Sequence, residues 1–398
     1  ANWTSGAATQ VITNSGQDSS FAGTKTPQGK QDSGGIGDFY YQPPSGFLSL
    51  CSVNLPSVDV IPSENFNPVL YTGNASTQSI STVGFQGDMI WAKSRSNADP
   101  HALVDSVRGD KELRPNDTNA EGAADGFNGF TSSGFALDGS GGGGQFNGNG
   151  RTYVAWNWKA GGTASSNSNG SITSSVSANV DAGFSIVSYT GTGANATVGH
   201  GLTLAAPEMI IVKNRGANDV WLVYHDGLAS DPQTDFIILN RTDAKGDTNT
   251  AWNDTAPTST LFSLGSLADV NRNSSNLIAY CFHSVDGYSK VGSYTGNSST
   301  DGTFVNCGFR PAYVMVKHTT VGWHWWVYDN ARDTYNQTIK GLKPNHSGAE
   351  YADATYTAVD LLSNGFKWRT NEAQVNANGG KFIFLAFAES PFKHSNAR

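Results

Sequence analysis

Tyr71-Thr72-Gly73 recurs as Tyr189-Thr190-Gly191 and again as Tyr294-Thr295-Gly296, 118 and then 105 residues further on. A tripeptide alone carries little weight, so its surroundings decide. Each copy is followed by an apolar run that ends in lysine: Met89-Ile90-Trp91-Ala92-Lys93, Met209-Ile210-Ile211-Val212-Lys213 and Val314-Met315-Val316-Lys317. The tyrosine-to-lysine distances are 22, 24 and 23 residues. A short polar turn then leads to a second run: Ala102-Leu103-Val104-Asp105, Trp221-Leu222-Val223-Tyr224-His225 and Trp325-Trp326-Val327-Tyr328-Asp329. Two apolar runs joined by a polar turn read as a hairpin. Each copy closes, after a variable polar middle, on an aromatic-rich run: Tyr153 to Trp158, Leu277 to Phe282, and Phe382 to Phe387. Landmarks in one fixed order at near-constant spacing establish an internal repeat.

Each repeat has the length of one small β-sandwich. The continuous apolar runs, such as Met209 to Val212, predict strands buried on both faces. The expected fold is all-β: three tandem, diverged β-sandwich units, jelly-roll or lectin-like, behind an extended N-terminal arm. The expected boundaries are an arm and lead-in over residues 1–66, repeats over 67–162, 183–287 and 288–392, and a tail over 393–398. Residues 163–182, rich in Gly, Ser and Asn, read as a linker, within which Ser171 to Ser177 has the pattern of an edge strand. The second and third repeats join without a gap around Asp286-Gly287. That contrast predicts one repeat set apart from a tightly packed pair.

Composition agrees with this class. The 398 residues include 46 glycines, only 15% are charged, and 11% are aromatic, which suits short strands and tight turns. With 25 basic against 33 acidic residues and no basic run, no nucleic-acid partner is expected. No run of eighteen apolar residues occurs, so no membrane insertion by a helix is expected. The first residue is Ala1, and a processed form or a piece of a longer chain is the expectation. Cys51, Cys281 and Cys307 are too few for a disulfide framework; Cys281 reads as a buried thiol, with one bridge to Cys51 or Cys307 as the alternative. The polar stretch from Ala1 to Gly37 cannot offset its own ordering entropy, and it reads as the tail end of an upstream domain, as an arm that docks on a neighbour by strand addition, or as a floppy terminus.

Chemistry is sparse. His318 and His324 fit no metal-site spacing. Asp269, Asn271 and Asn273 match the opening of a calcium loop, but Ser274 and Tyr280 stand where glycine and glutamate are required. Gly141 to Gly144 lacks the Lys-Ser or Lys-Thr of a phosphate loop. Glycoside hydrolysis needs two carboxylates about a cleft, and Glu112, Glu121, Glu208, Glu350, Glu372 and Glu389 are scattered, with no two read as equivalent. No catalytic residue, metal or cofactor is therefore expected. Trp323, Trp325 and Trp326 alternate in part, so at least one should face outward as a glycan or interface contact. Asp105-Ser106-Val107-Arg108 and Asp329-Asn330-Ala331-Arg332 read as one structural Asp–Arg corner used twice. The repeat landmarks Tyr71, Gly73, Tyr189, Gly191, Tyr294 and Gly296 are read as structural. The sequons at Asn74, Asn116, Asn240 and Asn345 barely exceed what composition predicts.

Several stretches carry a resemblance. Pro43 to Phe47, Val69 to Asn74, His101 to Gly109, Tyr153 to Gly161, Gly183 to Gly191 and Gly287 to Tyr294 resemble tail-fibre-like structural proteins of marine and freshwater tailed phages. The likeness runs through nearly all the chain after about residue 35. It implies a non-enzymatic, self-associating protein of a virion appendage or extracellular fibre, with cell-surface polysaccharide as a candidate partner. The alternatives are a helical extracellular filament joined by strand exchange through the N-terminal arm, and a polysaccharide-degrading fibre enzyme.

Overall fold

The computed structural model describes residues 2–3, 12–13, 18–49, 59–140, 144–354 and 358–389. The chain divides into a unit ending at Ser57 and a larger one from Val58 onward. The boundary therefore falls ahead of the expected residue 66, and the first strand of the larger unit is Phe66–Thr72. In the smaller unit, the described residues form a short antiparallel pair, Asn2–Trp3 with Ile12–Thr13, a bridge between Lys30 and Phe39, and turns. The Asp32 carboxylate accepts from the amides of Gly34, Ile36 and Ser49. Carboxylate-centred turns order a polar segment without an apolar core.

The larger unit is all-β, of sandwich type. Three antiparallel sheets share one strand order. In the first, Phe66–Thr72 is followed by Thr152–Trp158, Met89–Ser94 and Ala102–Asp105. In the second the series is Phe184–Thr190, Asn276–Phe282, Met209–Asn214 and Leu222–His225. In the third it is Ser289–Thr295, Lys381–Ala388, Pro311–His318 and Trp326–Asp329. The tyrosine landmark thus lies on the first strand of each four-strand series, with the closing aromatic run beside it.

Continuous burial follows from two different covers. Met89 and Trp91, Met209 and Ile211, and Tyr313 and Met315 all enter one common core between the three sheets. The alternating residues Ile90 and Ala92, Ile210 and Val212, and Val314 and Val316 face the other way, each pair into a separate core. Small outer sheets cover those separate cores: Gln78–Ile80 with Gly134–Leu137 and Phe127–Thr131; Ala196–Gly199 with Leu261–Leu264; and Phe304–Asn306 with Gly365–Trp368 and Val359–Leu362. Residues on both faces of a strand are therefore apolar because both faces are inside.

Two expectations are corrected here. The stretch 163–182 is not a free linker: Ser165–Asn167 and Ser174–Asn179 form a hairpin that extends the second sheet, with Val176 opposite Val187. Nor is the first repeat set apart, since all three sheets share the common core. Trp156, Trp158, Tyr280, Tyr313 and Phe387 meet there from different sheets and bury far more apolar surface than any linker composition reports.

Candidate functional site

The landmark tripeptide is a latch. The hydroxyls of Tyr71, Tyr189 and Tyr294 donate to the carbonyls of Phe146, Val270 and Val375 at 2.8, 2.6 and 2.6 Å. A Cβ at Gly73, Gly191 or Gly296 would overlap the backbone carbonyl of Gly148, Arg272 or Ala377. The next residue in each copy donates its amide to a fully buried asparagine side chain: Asn74 to Asn147, Thr192 to Asn271, and Asn297 to Asn376. Each of those asparagines also donates through Nδ2 to two carbonyls, as Asn271 does to Ala194 and Gly265. Buried amides with every bond made fix the loop that carries them.

The three asparagines escaped the reading of the sequence. Their signal is an Asn-x-Asn pattern at 147, 271 and 376, five residues before each closing strand. The Asp269-Asn271-Asn273 spacing that resembled a calcium loop is this latch. Among the described residues no group of three or more His, Cys, Asp or Glu is placed to hold a metal ion. Gly141 to Gly143 lie outside the described residues, and the Gly144 carbonyl accepts from the Tyr153 hydroxyl.

The lysine that ends each apolar run is buried with no carboxylate bonded to it. Lys93 Nζ donates to the carbonyls of Ser94 and Asn97, Lys213 to those of Asn214 and Ala217, and Lys317 to those of His318 and Val321. Each ammonium thus clasps the turn that follows it. Burial pushes all three down to about 8, against smaller upward pulls from Asp99, Asp219 and Asp243 respectively.

The Asp–Arg corners lie where one sheet meets the next. Arg108 Nε donates to Asp105 Oδ2 at 2.6 Å and Arg332 Nε to Asp329 Oδ2 at 2.6 Å, and all four side chains are fully buried. Across the first-to-second seam, the Tyr280 hydroxyl donates to Asp105 Oδ2 at 2.7 Å. Across the third-to-first seam, Trp156 Nε1 donates to Asp329 Oδ2 at 2.9 Å. Burial works to lower the Arg108 pKa, yet Asp105 and then Tyr280 hold it above its usual value, so the guanidinium stays charged. Glu121 and Glu350 sit at these same two seams, pairing with Arg215 at 2.8 Å and Arg95 at 2.9 Å. They occupy equivalent places, contrary to the expectation that no glutamate does so. Both are engaged in joining sheets.

Trp325 and Trp326 are not outward contacts, for they are 1% and 2% exposed. Trp325 enters the common core and Trp326 the core of the third sheet, because both faces of that strand are covered. Trp325 Nε1 donates to the Ile238 carbonyl of the neighbouring sheet, as Trp221 Nε1 does to Arg114. Trp323 alone of the three is half-buried. Three of the sequon asparagines are also structural: Asn116, Asn240 and Asn345 accept the backbone amides of His101, Trp221 and Trp325. Cys281 and Cys307 are buried free thiols, whereas Cys51 lies outside the described residues.

The common core holds a void of about 10 Å³, lined wholly by apolar groups including Trp158, Trp221 and Leu385. A space of that size without polar partners stays dry, so the axis is a core and not a channel. On the surface, an open cleft of about 770 Å³ carries Asp59, Glu64, Asp88, Lys159 and Asp181. Its most buried carboxylate, Asp88, accepts the amides of Ala160 and Gly162 and the side chain of Gln86. That use is structural.

A search of curated proteins finds no match. A family model described as a domain of unknown function (DUF7483) matches residues 61–391, most of the chain.

Proposed function

The chain belongs to the DUF7483 family, and from that premise we propose that it is a non-enzymatic structural module of a virion appendage or extracellular fibre. The observation that carries the reading is the cyclic order of the seams. The first sheet's corner meets Tyr280 of the second, and the third sheet's corner meets Trp156 of the first. His225 of the second sheet reaches the Phe384 carbonyl of the third. Head-to-tail contacts that close on themselves make a ring, here within one polypeptide. The buried Asp–Arg corners, latch asparagines and clasping lysines are committed to seams, latches and turns, which suits a rigid scaffold.

The closed module is favoured over strand exchange by its sheet edges. Pro68 interrupts the amide row of the first sheet's outer strand, the 165–179 hairpin covers that of the second, and Ser284 and Val285 bond Val291 and Ser289 on the third. Light scattering on the purified chain, with antibody labelling of particles in electron micrographs, tests the proposal. Label on appendages or fibres is expected; label confined to the cell interior, or reducing sugar released from a glycan panel, would overturn it.

A further inference from the structure

We infer that the seam between the second and third sheets is an acid-labile joint keyed by His225, which opens ahead of the other two seams. The three seams are an internal control for one another. Two carry a buried Asp–Arg corner facing an aromatic donor. At the equivalent places of the third stand His225, Leu228 and Leu385, and Leu385 has no donor to offer. Lys245 and Thr319 likewise replace the glutamate and arginine, leaving a backbone bond of 2.7 Å between them. The Lys245 ammonium turns instead to Asp235, at 2.6 Å.

His225 is fully buried and uses both ring nitrogens. Nδ1 accepts the Gly227 amide at 3.0 Å, so the proton resides on Nε2, which faces the Phe384 carbonyl at 3.2 Å. A proton added to Nδ1 would point at another N–H. The groups that could answer the new charge are few. Asp226 Oδ1 lies 3.4 Å from Nδ1, with Glu208 from the adjoining strand and Lys290 from the third sheet acting on Asp226. Glu208 is held by the Ser284 amide, and Gly227 packs against Ser293. The strand carrying Phe384 offers only its carbonyl.

Burial and then Glu208 push Asp226 up to about 6, while burial pushes His225 down to about 4. A carboxylate raised on folding favours the folded chain as pH falls and so offsets part of what His225 loses; the Asp226 side chain is 41% exposed, which weakens that offset beside the fully buried imidazole. The histidine's folded pKa lies below the ordinary 6.5, so its contribution is present above that value and lost as pH falls towards 4. His101 is a second buried neutral histidine, bonded to Trp91 and to the Lys343 carbonyl at the third-to-first seam; burial and then Lys93 hold it well below its usual pKa, so it too withdraws stability in acid. That seam keeps Asp329–Arg332 and Arg95–Glu350.

Hydrogen exchange on the whole chain, compared between neutral pH and about pH 4.5 after correction for intrinsic rates, tests this. Residues 222–228 and 382–387 should lose about tenfold more protection than 103–108 and 277–282. His225→Gln keeps an N–H for Phe384 but cannot titrate, and it should abolish the selective loss. Equal loss at all three seams in the wild-type chain would overturn the inference, as would an unchanged acid response in His225→Gln. The combined variant H225D/L228R/L385W rebuilds the corner found at the other seams and should stay closed; opening like the wild type would also sink the idea.

Discussion

Tyr280 and Asp105, 175 residues apart in sequence, share a buried hydrogen bond of 2.7 Å that joins the second sheet to the first. Arg108 Nη2 lies 3.3 Å from the same hydroxyl, so acid, base and phenol form one closed cluster. Removing one member exposes the cost of the others. Asp105→Asn should destabilise the chain by about 3–5 kcal/mol, since it strands a buried guanidinium. Tyr280→Phe should cost about 1–3 kcal/mol. Urea denaturation of both singles and the double should show costs that fail to add; additive costs would mean the residues act independently.

The latch asparagines make a sharper test of the repeat. Asn147→Ala, Asn271→Ala and Asn376→Ala each remove the acceptor of one amide and the donor to two carbonyls at a fully buried side chain. Each should cost at least about 2 kcal/mol in a denaturation curve. Asn149→Ala, two residues beyond the first latch, should cost less than about 0.5 kcal/mol. Similar losses for Asn149 and Asn147 would deny the latch its role.

The clasping lysines set the alkaline behaviour. Their folded pKa of about 8 lies below the ordinary 10.5, so the folded chain binds fewer protons across that interval. Stability should therefore rise as pH climbs through 8. Burial pushes Cys281 up to about 12 from 9 and raises Cys307 as well, which acts in the opposite direction above pH 9, but two thiols do not outweigh three lysines. Above about pH 10 the buried Tyr71, Tyr189, Tyr280 and Tyr294, all raised by burial, reverse the slope. A melting-temperature maximum near pH 10 is the expected result, and it should flatten in Lys213→Met. A steady decline from pH 7 would contradict the assignment.

Trp325→Ala should unfold or strongly destabilise the chain, by about 3–5 kcal/mol, because it empties the common core and frees the Ile238 carbonyl. Trp323→Ala should leave the melting curve within about 0.5 kcal/mol of wild type. Calorimetry on the two variants separates them; equal effects would contradict the burial of Trp325 in the common core.

Much of this was legible in the sequence because repetition multiplies weak signals. Tyr189-Thr190-Gly191 alone says nothing, yet three copies with the same lysine-terminated run located every principal strand. The run Met209 to Val212 also revealed that both faces of its strand are buried. What covers each face is a different matter. A hydrophobic residue is equally apolar whether it meets its own outer sheet, as Ile210 does, or two other sheets, as Ile211 does. Hence packing of units on one another was legible, but not that all three meet in one core, and with that went the reason Trp325 and Trp326 both point inward. The 163–182 stretch misled for the opposite reason: Ser and Asn lower its hydropathy, while backbone pairing, which needs no apolar side chain, holds it on the second sheet.

The cyclic order of the seams has a bearing on how such a chain can fail. With all three sheets present, each of the three seams is closed by a neighbour in the same molecule. Excise the middle sheet, residues 183–287, and the remaining two keep one matched seam and two orphaned faces. Those faces are not counterparts: the Asp105–Arg108 corner wants an aromatic donor, and the strand of Phe384 and Leu385 has none to give. Closure therefore depends on order as well as number, and a chain of two sheets would leave a buried ion pair bare on one face and apolar surface bare on the other.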